Sequence, residues 1–319
     1  MRGGEVPPRM FFGFDFDNNF VVKYIYPKGG KRMIAFSFDY YRPTTLNEAL
    51  DLLSNEGYYP QLGGTDLIVK MRNKALKPKA VVDLKAIKEL HFIKFSKEEG
   101  LEIGAAVTLN EVVATPEVSR YYPAFHQGVR TIGAYQTRNK GTVAGNIGNS
   151  SPAADSVPGL LTHNAKLRLV SKNGERVVEL KDFFTGPGKN VRQQGEIIYS
   201  IIVPYEGEAV GRYYKIGRSK GFDLSTIGVA LTVIDPSGSR DIRVALASVA
   251  PTPVRAFEAE EFIKGKELTP ENVEKFCELV QKSTSPITDA RGTKEYRYEM
   301  AKVLPKKLLR ELGFFKEAI

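Results

Sequence analysis

A single cysteine, Cys277, stands among the 319 residues of this chain, so an internal disulfide is impossible. Iron–sulfur clusters are held by several thiolates, and structural zinc by cysteine and histidine in groups. The three histidines, His91, His126 and His163, are scattered without ligand spacing. Each reads as a satisfied interior or solvent-facing residue, and Cys277 as part of a helix core rather than a reactive thiol. Any redox centre in the chain is therefore an organic cofactor. Long apolar runs are missing too: no stretch approaches the ~18 residues that would span a bilayer. Near the N-terminus Asp15, Asp17 and Lys23 interrupt the apolar residues, so no secretory h-region forms and the expected location is cytoplasmic. No G-x-G-x-x-G, P-loop, nucleophile elbow, paired-carboxylate signature or metal motif occurs.

The formal net charge is +9, yet no long stretch is purely basic. In the tail beyond residue 290, Glu295, Glu299, Glu311 and Glu317 stand among the lysines and arginines. Such mixing suits solvated helix faces, a docking surface or support for an anionic cofactor better than a nucleic-acid groove. Arg291, Arg297, Lys302, Lys306 and Lys307 are candidates for part of a docking surface. The chain is 42% hydrophobic and 26% charged, the balance of a globular protein with room for two or three subdomains.

Patterning divides the chain. Residues 1–34 lack a period beyond 20–26 and read as a flexible or non-native extension. From Phe36 a β-α-β-α-β unit is expected: Thr45-Leu46-Asn47-Glu48 has capping-box spacing, Leu46, Ala49, Leu50 and Leu53 share one helix face, and Gly57 is placed to end the helix. A strand at 58–62, a short helix from Asp66 and a buried strand at 80–84 complete it. The second unit opens with a hairpin over 92–107 and a second capping box, Thr108-Leu109-Asn110-Glu111. One longer helix is expected over 119–132, a loop over 141–149, a helix at 158–161, and a hairpin joined through Asn173-Gly174. A strand at 197–203 follows. Beyond a linker at 204–210, strands at 211–215, 226–234 and 242–249 form an antiparallel meander, and the remainder is helical. The class is α+β. The expected division is 35–206, with subdomains about 35–90 and 91–206, followed by 211–319.

Two loops carry the chemistry. Leu62-Gly63-Gly64-Thr65-Asp66 lies between a strand and a helix. Gly141-Thr142-Val143-Ala144-Gly145-Asn146 is followed by Ser150-Ser151-Pro152-Ala153-Ala154-Asp155. Glycines at a strand end let successive N–H groups converge on an anion, and a following helix start adds partial positive charge. Two such loops suit the two phosphates of a dinucleotide. Singly, each is equally a tight turn. The residues alone point to a phosphate-binding protein.

At these residues the chain resembles the FAD-binding subunit of the xanthine dehydrogenase and carbon monoxide dehydrogenase family of molybdenum hydroxylases. The similarity runs over about 36–312. It includes Tyr41-Arg42-Pro43, Gly63-Gly64-Thr65-Asp66-Leu67, Leu101-Glu102-Ile103-Gly104-Ala105 and Arg138-Asn139-Lys140-Gly141-Thr142. It continues through Gly145-Asn146, Ser151-Pro152-Ala153-Ala154-Asp155, Glu196-Ile197-Ile198, Tyr214-Lys215-Ile216-Gly217-Arg218, Asp289-Ala290-Arg291 and Tyr296-Arg297.

The resemblance implies two FAD-binding subdomains of the vanillyl-alcohol-oxidase/PCMH type, then a C-terminal domain of a small antiparallel sheet with helices. It implies that Leu62, Gly63, Gly64, Thr65, Asp66 and Leu67, with Thr142, Val143, Ala144, Gly145 and Asn146, wrap the FAD diphosphate. Asp155 would hold the flavin side or the adjoining loop. Ile132 would lie against the isoalloxazine, and Ile198 and Lys215 would make further flavin contacts, Lys215 countering negative charge on the reduced ring. Three positions depart from the family: Ala144 for a usual glycine, tolerable where φ stays negative, Thr137 for an apolar residue and Leu62 for a small one. The function implied is electron transfer from an iron–sulfur partner through FAD to NAD or another acceptor, beside a large molybdopterin subunit that meets the substrate. The alternatives are a stand-alone FAD-dependent oxidase or reductase, against which stands the want of a substrate domain, and a basic binding module without cofactor.

Overall fold

The computed structural model of the chain describes residues 9–14, 20–25, 36–219 and 222–316. Most of the expected extension, 1–34, lies outside them. Within it, β1 (Arg9–Phe14) pairs antiparallel with β2 (Phe20–Ile25), so the strand expected near 20–26 has a partner. The adjacent Phe11 and Phe12 break any period-two alternation, and for that reason the first strand was not legible.

The first unit contains β3 (Asp39–Tyr41), α1 (Leu46–Leu53), β4 (Tyr58–Gln61), α2 (Leu67–Arg72) and β5 (Ala80–Asp83). Its three strands are parallel in the order β3-β5-β4. The central strand, β5, is buried along its whole length, as a parallel strand covered on both faces must be. Thr45 caps α1 by accepting the Glu48 N–H, but the Glu48 carboxylate takes the N–H of Thr44 rather than that of Thr45. The box expected there is therefore offset by one residue. The helix ends at Leu53, ahead of Gly57.

The second unit runs through β6 (Ile93–Ser96), β7 (Gly100–Gly104), α3 (Leu109–Ala114), α4 (Pro116–Tyr121), α5 (Pro123–Arg130), α6 (Tyr135–Arg138), α7 (Val143–Gly148) and α8 (Val157–Leu161). It closes with β8 (Lys166–Ser171), β9 (Gly174–Glu179), β10 (Phe184–Gly186), β11 (Lys189–Asn190) and β12 (Ile197–Val203). The long helix expected over 119–132 is two helices, because Pro123 excludes Tyr122 from helical angles and leaves it at φ −129°, ψ 53°. The loop expected over 141–149 contains α7: Thr142 caps it and Val143, Ala144 and Ile147 are buried, so capping and packing override the glycines. The β8–β9 turn is Lys172-Asn173, one residue earlier than expected, with Gly174 at φ +123° already paired to Ser171. Five antiparallel strands lie in the order β6-β7-β12-β8-β9.

The third unit is a four-stranded antiparallel meander, β13 (Ala209–Ile216), β14 (Ile227–Ile234), β15 (Asp241–Ala247) and β16 (Val254–Arg255). Helices α9 (Phe257–Ile263), α10 (Pro270–Lys282) and α11 (Lys294–Glu311) cover one face of it. Cys277 is in that core, and burial pushes its thiol up to about 12. The basic tail is not a free cationic face. Arg297 is only 2% exposed and bonds Asp289; Arg291 pairs with Asp289, Lys302 and Lys306 with Glu274, and Lys307 with Glu311.

Two arginines join the third unit to the second. Arg243 donates to the Thr162 carbonyl (3.1 Å) and pairs with Glu206, while Arg255 donates to the Leu161 carbonyl (2.9 Å) and to Asn164. They satisfy carbonyls at the end of α8, where positive charge is favourable. His163, beside them, is buried with Nε2 unpartnered among the described residues, contrary to the satisfied role expected. Burial and the two arginine charges hold its pKa down to about 3. Among the described residues no helix is long and apolar enough to cross a membrane.

Candidate functional site

The chain leaves β4 at Gln61 and enters α2 at Leu67, and the intervening turn forms one lip of a cleft. Gly64 occupies φ +70°, a region that favours glycine. Gly63 has no room for a side chain: a Cβ would overlap the Lys140 carbonyl oxygen and stand 2.8 Å from Gly141 Cα. The two glycine loops thus touch through their backbones. The Leu62 carbonyl is tied back by Lys85 Nζ (2.9 Å), which also pairs with Asp83 at the end of β5. No backbone carbonyl among the described residues accepts the N–H groups of Gly63, Gly64 or Thr65.

The facing lip is the start of α7. Thr142 Oγ1 accepts the Gly145 N–H at 2.9 Å, and the Gly141 carbonyl accepts the Leu109 N–H at the capped start of α3. The capping box at Thr108 is complete, with Glu111 returning to the Thr108 N–H at 2.8 Å. Ala144 lies in helical backbone, the condition under which alanine is tolerated there. Asn146 Oδ1 accepts from Ser156 Oγ at 2.7 Å, leaving its NH2 as the remaining donor.

Asp155 forms the third wall. Its carboxylate accepts from Tyr213 Oη (2.6 Å), Ser225 Oγ and Lys215 Nζ (2.8 Å). Lys215 also donates to the Thr131 carbonyl at 3.1 Å, next to Ile132. Burial, helped by the Asp155 charge, raises the Tyr213 hydroxyl well above its ordinary value, so Tyr213 stays a donor. Arg138 donates to the Ile132 and Gly133 carbonyls and fixes that turn. Ile197 and Ile198, neighbours at the start of β12, both line the cleft. Ile198 packs toward Gly148, at the far end of α7 from the loops.

The cleft holds about 700 Å³, in the range of small-molecule and cofactor sites. Of the residues expected at the site, Leu62, Gly63, Gly64, Thr65, Asp66 and Leu67 line it, as do Ile132, Thr142, Ala144, Gly145, Asn146, Asp155, Ile198 and Lys215. Val143 does not: its side chain is buried in the core behind α7. Sequence reasoning missed Lys70, Asn149, Asn190, Arg192 and Phe222, which also line the cleft. Lys70 reads as a solvated helix position, and Asn190 and Arg192 follow a strand pair without a period, so no signal marked them. Two glycine loops in backbone contact, amides without a carbonyl partner and a cation at the side of the cleft fit a long ligand with a diphosphate at its middle.

Two families match the chain. Residues 36–206 match one described as FAD binding domain in molybdopterin dehydrogenase, and residues 212–312 one described as CO dehydrogenase flavoprotein C-terminal domain. The glyceraldehyde dehydrogenase medium chain of Sulfolobus acidocaldarius is 34% identical over 278 residues, 86% of this chain and 98% of that one. A putative xanthine dehydrogenase FAD-binding subunit of Escherichia coli is 31% identical, covering 85% of this chain and 94% of its own length. Among solved structures, a chain of reconstituted CO dehydrogenase from Oligotropha carboxidovorans superposes with a TM-score of 0.82 at 29% identity, over 87% of this chain and 98% of that one.

Proposed function

We propose, for a chain that belongs to the family of FAD-binding medium subunits of xanthine dehydrogenase and carbon monoxide dehydrogenase, that it carries electrons from an iron–sulfur partner to NAD or another acceptor. Its cofactor is FAD, and it is an oxidoreductase subunit. The observation that carries the reading is the contact of the two glycine loops across Gly63, with the Lys215–Asp155 pair in the same cleft. FAD bound there supplies exchange between a one-electron donor and a two-electron acceptor.

In this reading the amides of Gly63, Gly64 and Thr65 and the first turn of α7 bind the diphosphate, with Thr142 and Asn146 beside them. Asp66 and Leu67 start the helix behind the first lip. Ile132 gives the flavin an apolar face. Lys215, steered by Asp155 and the Thr131 carbonyl, places a positive charge at the ring, and Asp155 is held in place by its three donors. Segments 35–206 and 211–319 act as cofactor-binding and C-terminal domains in a cytoplasmic complex with an iron–sulfur subunit and a molybdopterin-containing large subunit. Recovery of a tagged copy from its native host, with metal and flavin analysis, tests this. Two further chains, molybdenum, iron and released FAD are expected. A chain that returns alone, flavin-loaded, and oxidises an organic substrate with oxygen would replace the reading with a stand-alone oxidase.

A further inference from the structure

Arg192 is a cation in the cleft wall that has no carboxylate of its own. Its Nε donates to Asn190 Oδ1 at 3.3 Å and its Nη1 to the Glu196 carbonyl at 3.2 Å. The Glu196 carboxylate is already engaged: it accepts Arg176 Nε (2.7 Å), Arg176 Nη2 (2.8 Å) and the Gln193 N–H (2.6 Å). No carboxylate oxygen lies within ion-pair distance of Arg192 among the described residues. The surrounding protein pushes its pKa below the ordinary arginine value, opposed by the Glu196 charge, while part of the side chain stays open to the cleft. A guanidinium remains protonated even so. A half-buried cation without a counter-ion is unfavourable until an anion or an aromatic face arrives.

The position of Arg192 says which ligand part that is. Asn190, its neighbour, donates to the Gly148 carbonyl at the C-terminal end of α7 and to Ser150 Oγ. Lys70 stands at the same end, donating to Asn149 Oδ1 at 2.6 Å. Seven residues of helical rise put Asn149 about 10 Å beyond Thr142 and the glycine loops. With the diphosphate at the loops and the flavin beside Ile132 and Lys215, this end remains for the other half of the dinucleotide.

We infer that Arg192 binds the adenylate half of FAD and gives the cleft its preference for the dinucleotide over FMN. The inference rests on the cleft being the FAD site. The test is titration of apoprotein with FAD and with FMN, followed by flavin fluorescence, in the wild type and in Arg192→Gln and Arg192→Lys. Removing one charge-assisted contact weakens FAD binding by about 10- to 100-fold. Arg192→Gln is expected to show that loss with FMN affinity and the apoprotein melting temperature unchanged, and Arg192→Lys to recover part of it. Unchanged FAD affinity in Arg192→Gln overturns the inference. So does an equal fall for FAD and FMN with a lowered apoprotein melting temperature, which would make Arg192 a brace for Glu196 only. A wild type that binds no FAD overturns the cleft assignment instead.

Discussion

Replacing Gly63 by alanine perturbs the one point where both loops meet. The added carbon would overlap the Lys140 carbonyl oxygen and lie 2.6 Å from the carbonyl carbon and 2.8 Å from Gly141 Cα. These are backbone atoms, so no side chain can swing aside. Restoring van der Waals contact requires the loops to part by about 1 Å. Overpacking of this kind destabilises by ~1–3 kcal/mol. The effect on the cofactor is larger, because each charge-assisted hydrogen bond is worth ~1.5–3 kcal/mol. Two misaligned amides therefore weaken FAD binding by about a hundred- to ten-thousand-fold. Gly145→Ala is the control: its Cβ meets the Thr142 hydroxyl oxygen at 3.1 Å and Leu62 Cβ at an ordinary 4.0 Å, in helical backbone. That variant is expected to stay within about tenfold of the wild type, the equivalent of a loosened cap. Fluorescence titration of apoprotein with FAD, with circular dichroism to verify folding, measures both. Gly63→Ala binding FAD as tightly as the wild type, with an unchanged melting temperature, would refute a diphosphate held jointly by the two loops.

Lys215→Met leaves Asp155 buried with Tyr213 and Ser225 as its donors among the described residues, and stability is expected to fall by ~3 kcal/mol. Urea unfolding measures it, and an unchanged midpoint would show that the pair adds nothing. The Asp289 carboxyl is held down to about 2 by the hydrogen bond from Arg291, with the charges of Arg291 and Arg297 adding. Its folded pKa is depressed, so its stabilisation is full above the unfolded value of ~3.9 and is lost as pH falls toward 2. Asp289→Asn is expected to flatten the fall in stability between pH 4 and 2; equal slopes in the two proteins would sink this.

Periodicity and capping made most elements legible before any coordinates. Thr108 and Glu111 form the capping box their spacing announces, and the buried run in β5 is the central parallel strand. What failed had local causes. Pro123 broke a continuous apolar pattern, and α7 hid inside a glycine-rich stretch because its stability comes from the Thr142 cap and from packing. Residues on the two lips were visible as glycine motifs. Lys70, Asn190 and Arg192 were not, since tertiary structure alone brings them to the cleft. Val143, inside the second glycine motif, turns its side chain into the core behind α7.

Asp155 lies in the segment matched by the first family, whereas Lys215, Tyr213 and Ser225 belong to the second. A ribosome that has released only the first 206 residues has therefore made the two glycine lips and the Asp155 carboxyl with none of these partners. These partners arrive when β13 and β14 dock, roughly thirty residues of synthesis later. On the proposed reading of the cleft, cofactor capture is tied to completion of the chain, and a truncated product ending at the linker would carry the two glycine lips without Lys215.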